Sequence, residues 1–193
     1  MSIRNWLSAC LGASALLVTG CAASGANAEP ARDAMRAGVS MSHHQAKAPP
    51  AGADRPSVAA RMICSAEIRN AVAKASGSTT VPEGKSTWSD QLYTCTYALA
   101  GGRLQLSVED SADLSSGERY FTELRAQAVD ARPIRGLANF GLPSYRTPAG
   151  TVVFLKDGKT LTVDASELPS RGGRSAGDVA YAVAASVVAC WTE

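Results

Sequence analysis

The sequence predicts an α+β domain in which helices pack on an antiparallel sheet of about five strands. Two hairpin signals favour an antiparallel sheet, because Gly101–Gly102 and Asp157–Gly158 each separate two strand-like segments. Three other segments combine helical periodicity with polar residues that can cap their first turns. The predicted element order is α-β-β-α-β-β-β-α.

The first helix is predicted over residues 65–77, where Ser65 can cap the start and Gly77 can end it. Its apolar side chains fall on one face, as expected of a helix that packs on a sheet: Ile68, Ala71, Val72 and Ala75. Residues 76–86 are rich in Ser, Thr, Gly and Pro, and they predict a loop.

The first hairpin is predicted from two alternating segments on either side of Gly101–Gly102. On the first strand, one face carries Tyr93, Cys95, Tyr97 and Leu99. On the second strand, apolar and polar residues alternate strictly, with Leu104, Leu106 and Val108 on one face. One face of this hairpin is therefore expected to be buried.

Two further helices are predicted from capping signals. Ser115 with Glu118 three residues later forms a capping-box pattern, and Phe121, Leu124 and Ala128 supply the apolar stripe. Ser175 and Asp178 can cap a last helix, which is expected to lie beside the first. Its buried stripe is Val179, Val183, Val187, Cys190 and Trp191.

Three strands are predicted between these two helices. A short strand surrounds Tyr145, and the segment "TVVFLK" at 151–156 is apolar at four consecutive positions. Such a run is typical of a central strand covered on both faces. The dipeptide Asp157–Gly158 then turns the chain into the last strand, "KTLTVDA".

The N-terminus has the features of an export signal. Arg4 lies in a short polar region, an apolar stretch covers residues 6–18, and small residues precede Cys21. Val18-Thr19-Gly20-Cys21 resembles the lipobox of bacterial lipoproteins, in which a diacylglycerol is attached to the cysteine and the chain is cut before it. Two acyl chains hold a protein at a membrane more firmly than one.

The alternative is an ordinary signal peptide cut at Ala26–Ala28, which has the A-x-A form. On the lipoprotein interpretation, residues 1–20 are the signal, and residues 21–57 are the lipidated cysteine with a disordered tether rich in Ala, Gly, Ser and Pro. Residues 58–193 form the globular domain.

The cysteines are assigned from this processing. Cys10 leaves with the signal and Cys21 carries lipid, so the domain keeps Cys64, Cys95 and Cys190. An oxidising compartment favours a disulfide, and Cys64 with Cys95 would close the shorter loop. Two alternatives stay open: Cys190 paired with one of them, or no disulfide.

Catalytic motifs are sparse in this sequence. The chain has two histidines, and both His43 and His44 fall in the predicted tether, so no catalytic residue, metal site or cofactor is predicted. The enzymatic alternative is an acid/base pair or calcium site, formed if two groups of carboxylates met. These groups are Glu109, Asp110 and Asp113, and Asp164 with Glu167.

Charge and aromatic content limit the partners. The net charge is +2 with scattered Lys and Arg, which argues against nucleic acid as a partner. No apolar run of about 20 residues follows the N-terminus, so no internal membrane span is expected. The candidates for an aromatic ligand surface are Trp88, Tyr93, Tyr97 and Trp191, which are also candidates for the core.

Four segments resemble blocks of small actinobacterial cell-envelope lipoproteins of unknown function: "ICSAEIRNAV", "TWSDQLYTCTY", "GTVVFLKDGKTLTVDAS" and "ACWTE". The resemblance implies location and fold, because that group carries no assigned chemistry. A layered fold similar to the PsbP and Mog1 type would suit the predicted element order.

These observations predict a lipid-anchored protein on the extracytoplasmic face of the cell membrane. The expected role is that of a non-enzymatic binding or interaction module, whose partner is an envelope protein, a polymer or an apolar ligand. The alternative function is a cell-envelope hydrolase that uses carboxylates or a metal.

Overall fold

The computed structural model describes residues 55–191. The predicted lipidation residue Cys21, both histidines and the alternative cut at Ala26–Ala28 lie outside the described residues. The helices are α1 (Val58–Arg61), α2 (Ala66–Ser76), α3 (Leu114–Gln127) and α4 (Ala176–Cys190), with 3₁₀ turns at Met62–Cys64 and Gly136–Asn139.

The strands are β1 (Gly84–Ser89), β2 (Leu92–Leu99), β3 (Gly102–Asp110), β4 (Arg132–Pro133), β5 (Ser144–Arg146), β6 (Thr151–Lys156) and β7 (Lys159–Asp164). They form one antiparallel sheet in the order β1-β2-β3-β7-β6-β5-β4. The α+β class and the antiparallel sheet are thus confirmed.

The predicted number of about five strands is wrong, because the sheet has seven. The two additional strands, β1 and β4, are its edges. The sequence of β1, "GKSTWS", has no apolar alternation and falls partly in the segment predicted as a loop. The strand β4 has two residues, one of them a proline, which is tolerated at a sheet edge.

The sheet is covered on both faces by different helices. One face packs against α2 and α4, which lie side by side as predicted. This face carries Leu104, Leu106, Val108, Val152 and Phe154, all fully buried. On the other face, α3 brings Phe121 against Tyr145, Val153 and Leu155. The expectation that "TVVFLK" is covered on both sides is confirmed.

The caps of α2 and α4 are confirmed. The side chain of Ser65 accepts from the backbone N–H of Ile68, and Gly77 ends α2 in the left-handed conformation. Ser175 and Asp178 form a capping box at the start of α4.

The predicted capping box of α3 is wrong. The helix begins at Leu114, and its cap is Asp113, whose Oδ1 accepts from the backbone N–H of Ser116 at 2.8 Å. The hydroxyl of Ser115 donates to the same carboxylate at 2.6 Å. Hydrogen bonds from Ser115 and then Ser116 lower the pKa of Asp113 to about 2. An aspartate two residues before the predicted cap therefore satisfies the first turn.

A disulfide joins Cys64, immediately before α2, to Cys95 in the centre of β2, with a Cα–Cα distance of 5.6 Å. It lies beneath the edge strand, since a Cβ at Gly84 would lie 2.7 Å from the Cys95 sulfur. Cys190 lies at the end of α4 and is half-buried. The disulfide ties the first helical segment to the sheet.

The two ends of the sheet differ in the segments that pack there. The Asp110 end is where β3 finishes and β7 begins, since Asp110 pairs with Lys159. There the buried Asp110 accepts a 2.6 Å hydrogen bond from the backbone N–H of Ser57 and lies 3.8 Å from the Lys159 ammonium. The Gly101 end carries the β2–β3 turn, and the chain between β7 and α4 packs beside it.

Candidate functional site

An open surface groove of about 740 Å³ lies at the Gly101 end. Five segments form it: the end of α2, the loop after α2, the β2–β3 turn, the connection from β7 to α4 and the first turn of α4. Apolar side chains of Leu99, Leu168, Pro169 and Val179 contribute to its lining. This volume is within the range of small-molecule sites, about 300 to 1,000 Å³. We call it the α2–α4 groove.

Three cations line the α2–α4 groove: Lys74, Arg171 and Arg174. No aspartate or glutamate is among the described residues that line it. All three cationic residues are exposed, so their charges are available to a ligand. The charged side chains that line the groove are therefore all positive, although the net charge of the whole chain is only +2.

Arg174 also binds the end of α2, which lines the groove. Its guanidinium donates to the backbone carbonyls of Ala75 at 3.2 Å and Lys74 at 3.4 Å. These carbonyls lie at the C-terminal end of α2, where a cation is favoured by the helix dipole. Arg174 thereby fixes the connection before α4 against α2, while Arg171 and Lys74 remain without an ion pair among residues 55–191.

The turn that presents Arg171 is tight. Arg171 and Arg174 exchange two backbone hydrogen bonds of 3.1 Å, and Gly172 and Gly173 between them both have positive φ. Glycine adopts this conformation without a steric penalty. Gly172 and Gly173 thus shape the rim of the groove before α4.

Hydroxyl groups line the side of the groove formed by the loop after α2. The Ser76 hydroxyl donates to the carbonyl of Val72 at 2.8 Å, and the Ser78 hydroxyl donates to the carbonyl of Thr80 at 2.7 Å. The Ser78 hydroxyl also accepts from the backbone N–H of Thr80 at 3.4 Å. A hydroxyl oxygen has two acceptor lone pairs, so both hydroxyls can still accept a hydrogen bond from a ligand. The lining therefore combines apolar contact, positive charge and polar groups.

The carboxylates required by the enzymatic alternative do not meet. Asp164 pairs with Gln105 on β3, whereas Asp110 pairs with Lys159. Gln105 and Asp110 are five residues apart on β3. At about 3.3 Å per strand residue, Asp164 and Asp110 therefore lie roughly 17 Å apart along the strands. Asp164 accepts from the backbone N–H of Ser166 at 2.9 Å.

The remaining members of the two groups also have separate roles. Glu167 forms a 2.5 Å ion pair with Arg103 at the Gly101 end, and Asp113 caps α3. Within residues 55–191, no three acidic, histidine or cysteine side chains form a group that could hold a metal ion. The two groups of carboxylates therefore do not meet, which was the condition for an acid/base pair or calcium site between them.

A smaller cavity of about 270 Å³ lies between β3 and α3 and includes Glu109, Tyr120 and Glu123. Burial, and then the nearby Asp110, raises the pKa of Glu109. Burial, and then Glu109, raises the pKa of Tyr120. Successive residues of a strand point to opposite faces, so Glu109 faces α3 and Asp110 faces α1. They do not act as a carboxylate pair.

The aromatic candidates divide between core and half-buried positions. Tyr97 is fully buried, and its hydroxyl donates to the carbonyl of Ile63 at 2.6 Å. Trp191 is 4% exposed and donates from Nε1 to the carbonyl of Ala59 at 3.0 Å. Trp88 and Tyr93 form a half-buried cross-strand pair. None of the four lines the α2–α4 groove.

Comparison of the chain with protein-family models, with curated proteins and with solved structures found no match. Among residues 55–191, no helix is both long enough and apolar enough to cross a membrane. Function is therefore inferred from the geometry of the chain itself.

Proposed function

We propose that this protein is an extracytoplasmic lipoprotein, anchored through Cys21, that binds an anionic envelope polymer in the α2–α4 groove without catalysing a reaction. The observation that carries the proposal is the lining of the groove: Lys74, Arg171 and Arg174 with no acidic residue among the described lining residues. A groove with a single sign of charge raises the local concentration of oppositely charged ligands.

The form of the groove favours a polymer segment over an enclosed lipid. It is open to solvent and combines cations with Leu99 and Leu168, so a chain can lie across it and leave at both sides. Arg and Lys bind phosphate and carboxylate groups strongly, and Arg can do so with two parallel hydrogen bonds. Partly exposed charges of this kind contribute about 0.5 to 1 kcal/mol each.

The location rests on the sequence. The lipobox resemblance at Val18–Cys21 and the resemblance to actinobacterial envelope lipoproteins both support a membrane anchor. The likeness to a PsbP or Mog1 type of fold stays a prediction, as does the membership of that lipoprotein group.

The anchor can be tested by metabolic labelling with a radioactive fatty acid. The full chain is expected to incorporate the label, and Cys21→Ala is expected to abolish incorporation because the thiol is the acceptor. Cys10→Ala is the matched control, since this cysteine leaves with the predicted signal, and it should retain the label. Label that persists in Cys21→Ala, or a mature chain that begins after Ala28, would contradict the anchor.

Ligand binding can be tested with poly(glycerol phosphate) as the anionic probe and dextran as its neutral counterpart. The chain from residue 21 onward, with Cys21→Ser in place of the lipidated residue, should bind the phosphate polymer and not dextran. The double variant Lys74→Gln/Arg171→Gln should bind about tenfold more weakly, because two ligand-facing charges are lost. Arg174 is left in place because it also holds α2.

Lys85→Gln provides the charge-matched control for this titration. Lys85 is an exposed cation on β1 and does not line the groove. Binding by Lys85→Gln should equal that of the parent chain. Equal losses in Lys85→Gln and in the groove variant would show nonspecific attraction and would remove the groove from the proposal.

A further inference from the structure

The loop between β4 and β5, residues 134–143, exposes two large apolar side chains. Leu137 is 98% exposed and Phe140 is 49% exposed. Isolated exposed leucines are ordinary on protein surfaces, but here two large apolar side chains are exposed three residues apart in one short loop. We call residues 134–143 the β4–β5 loop.

Its backbone conformation and a hydrogen bond from α4 restrain the β4–β5 loop. Its 3₁₀ turn Gly136–Asn139 ends at Phe140, which has a φ of 55° in the left-handed region. Bulky residues seldom adopt this conformation, and it costs about 1 kcal/mol or more. The hydroxyl of Tyr181 on α4 donates to the carbonyl of Ala138 at 2.9 Å.

The ring of Phe140 packs against Phe154 in the core of the domain. Its ring centroid lies 6.0 Å from that of Phe154 in the centre of β6. One side of the Phe140 ring therefore packs on the domain while the other faces solvent. Leu137, three residues earlier, has no comparable cover and is exposed to solvent.

The surroundings of the loop carry positive charge. Arg132 and Arg135 are exposed and make no ion pair among residues 55–191. The sequence from residue 131 to 156 contains no aspartate or glutamate. Apolar side chains next to unneutralised arginines match the chemistry of an anionic membrane surface, where lipid tails meet phosphate headgroups.

The base of the loop lies between the middle of the sheet and its Asp110 end. Ser144 pairs with Phe154, Phe154 with Leu161, and Leu161 with Val108, two residues before Asp110. Asp110 accepts a hydrogen bond from the backbone N–H of Ser57, the last residue of the predicted tether. Pro133 before the loop lies in the row of Ser107, and Ser144 after it lies in the row of Val108, just past the middle of β3 toward Asp110. The α2–α4 groove opens at the Gly101 end.

We propose that the β4–β5 loop contacts an anionic bilayer, with Leu137 and Phe140 entering the interface and Arg132 and Arg135 binding headgroup phosphates. The α2–α4 groove opens at the Gly101 end of the sheet, away from Asp110. The biological setting rests on the proposed membrane anchor, but vesicle binding itself needs no lipid on Cys21.

The test is co-sedimentation with vesicles of phosphatidylcholine, alone or with about one third phosphatidylglycerol. The chain from residue 21 onward with Cys21→Ser should bind the anionic vesicles more strongly than the neutral ones. Leu137→Asp should reduce the partition coefficient about tenfold, since burial of one leucine side chain is worth at least that factor. Arg132→Gln/Arg135→Gln should lose most of the preference for anionic vesicles.

Val81→Asp is the matched control. Val81 is 50% exposed and precedes β1, at the opposite edge of the sheet from β4. This variant should partition like the parent chain, and all variants should unfold at the same temperature. Parent chain that stays in the supernatant, or equal losses in Leu137→Asp and Val81→Asp, would overturn the proposal.

Binding to poly(glycerol phosphate) separates this proposal from the proposed function. Leu137→Asp should keep its affinity for that polymer, because residue 137 does not line the groove. If vesicle binding responded to Lys74→Gln/Arg171→Gln and not to Leu137→Asp, the groove would be the lipid-binding site and the role of the β4–β5 loop would be refuted.

Discussion

Replacement of both Cys64 and Cys95 by alanine is expected to lower the free energy of unfolding by about 3.5 kcal/mol. The disulfide spans 31 residues, and its removal gives the unfolded chain back the conformational freedom of that loop. The disulfide joins the buried centre of β2 to the chain that leads into α2. Cys95 is fully buried, and Cys64 lies directly before Ser65, the N-cap of α2. Urea unfolding followed by circular dichroism measures the effect.

Reduction provides the control for this experiment. The parent chain should lose a similar amount of stability when a reductant is added, while the double alanine variant should not respond to it. Peptide mapping under oxidising conditions should recover Cys64 linked to Cys95. A cross-linked peptide between Cys190 and either of them, or a double variant as stable as the oxidised parent, would contradict the stabilising role of this disulfide.

Gly117→Ala is expected to destabilise the domain by about 3 kcal/mol, the upper range for overpacking. Gly117 is buried in α3, and a Cβ there would lie 2.1 Å from the carbonyl oxygen of Gly158 in the β6–β7 turn. Backbone atoms cannot move aside as a flexible side chain can. The helix would have to shift away from the sheet, which would loosen the contact of Phe121 with Tyr145.

Gly177→Ala is the matched control, because it makes the same change in another helix. A Cβ at Gly177 would meet its nearest neighbour, the Ser175 hydroxyl, at 3.7 Å, an ordinary contact. Alanine should therefore stabilise α4 by about 0.5 kcal/mol through helix propensity. The two substitutions should change the free energy of unfolding in opposite directions. Changes in the same direction would show that α3 does not contact the β6–β7 turn as closely as described.

The central part of the fold could be predicted because local signals agreed with the tertiary structure. Strict alternation at Leu104, Leu106 and Val108 marks the buried face of β3, and all three are fully buried. The capping box at Ser175 and the turn at Asp157–Gly158 are properties of four or fewer neighbouring residues. Such signals depend little on the rest of the chain.

The edges of the sheet could not be predicted because their signals are not local. The strand β1 is polar at most positions and is a strand because its backbone pairs with β2. The predicted cap of α3 is wrong because two capping patterns compete in this segment. Asp113 accepts from three groups within three residues, and the alternative cap at Ser115 instead donates to it.

The α2–α4 groove could not be predicted for the same physical reason. Lys74 lies almost a hundred residues from Arg171 and Arg174 in the sequence, and neither segment forms a basic cluster. They meet because α2 and α4 lie side by side and Arg174 binds the end of α2. Conversely, the carboxylate groups of β3 and β7 both follow strands, but antiparallel pairing puts them at opposite ends of the sheet.

The most direct test of the proposed binding function is amide chemical-shift mapping of the domain during titration with poly(glycerol phosphate). Binding in the α2–α4 groove predicts shifts confined to its lining: residues 74–80, 98–100, 168, 171, 172, 174 and 179. Shifts that are absent, or that cluster instead at the Asp110 end of the sheet, would contradict binding in the groove.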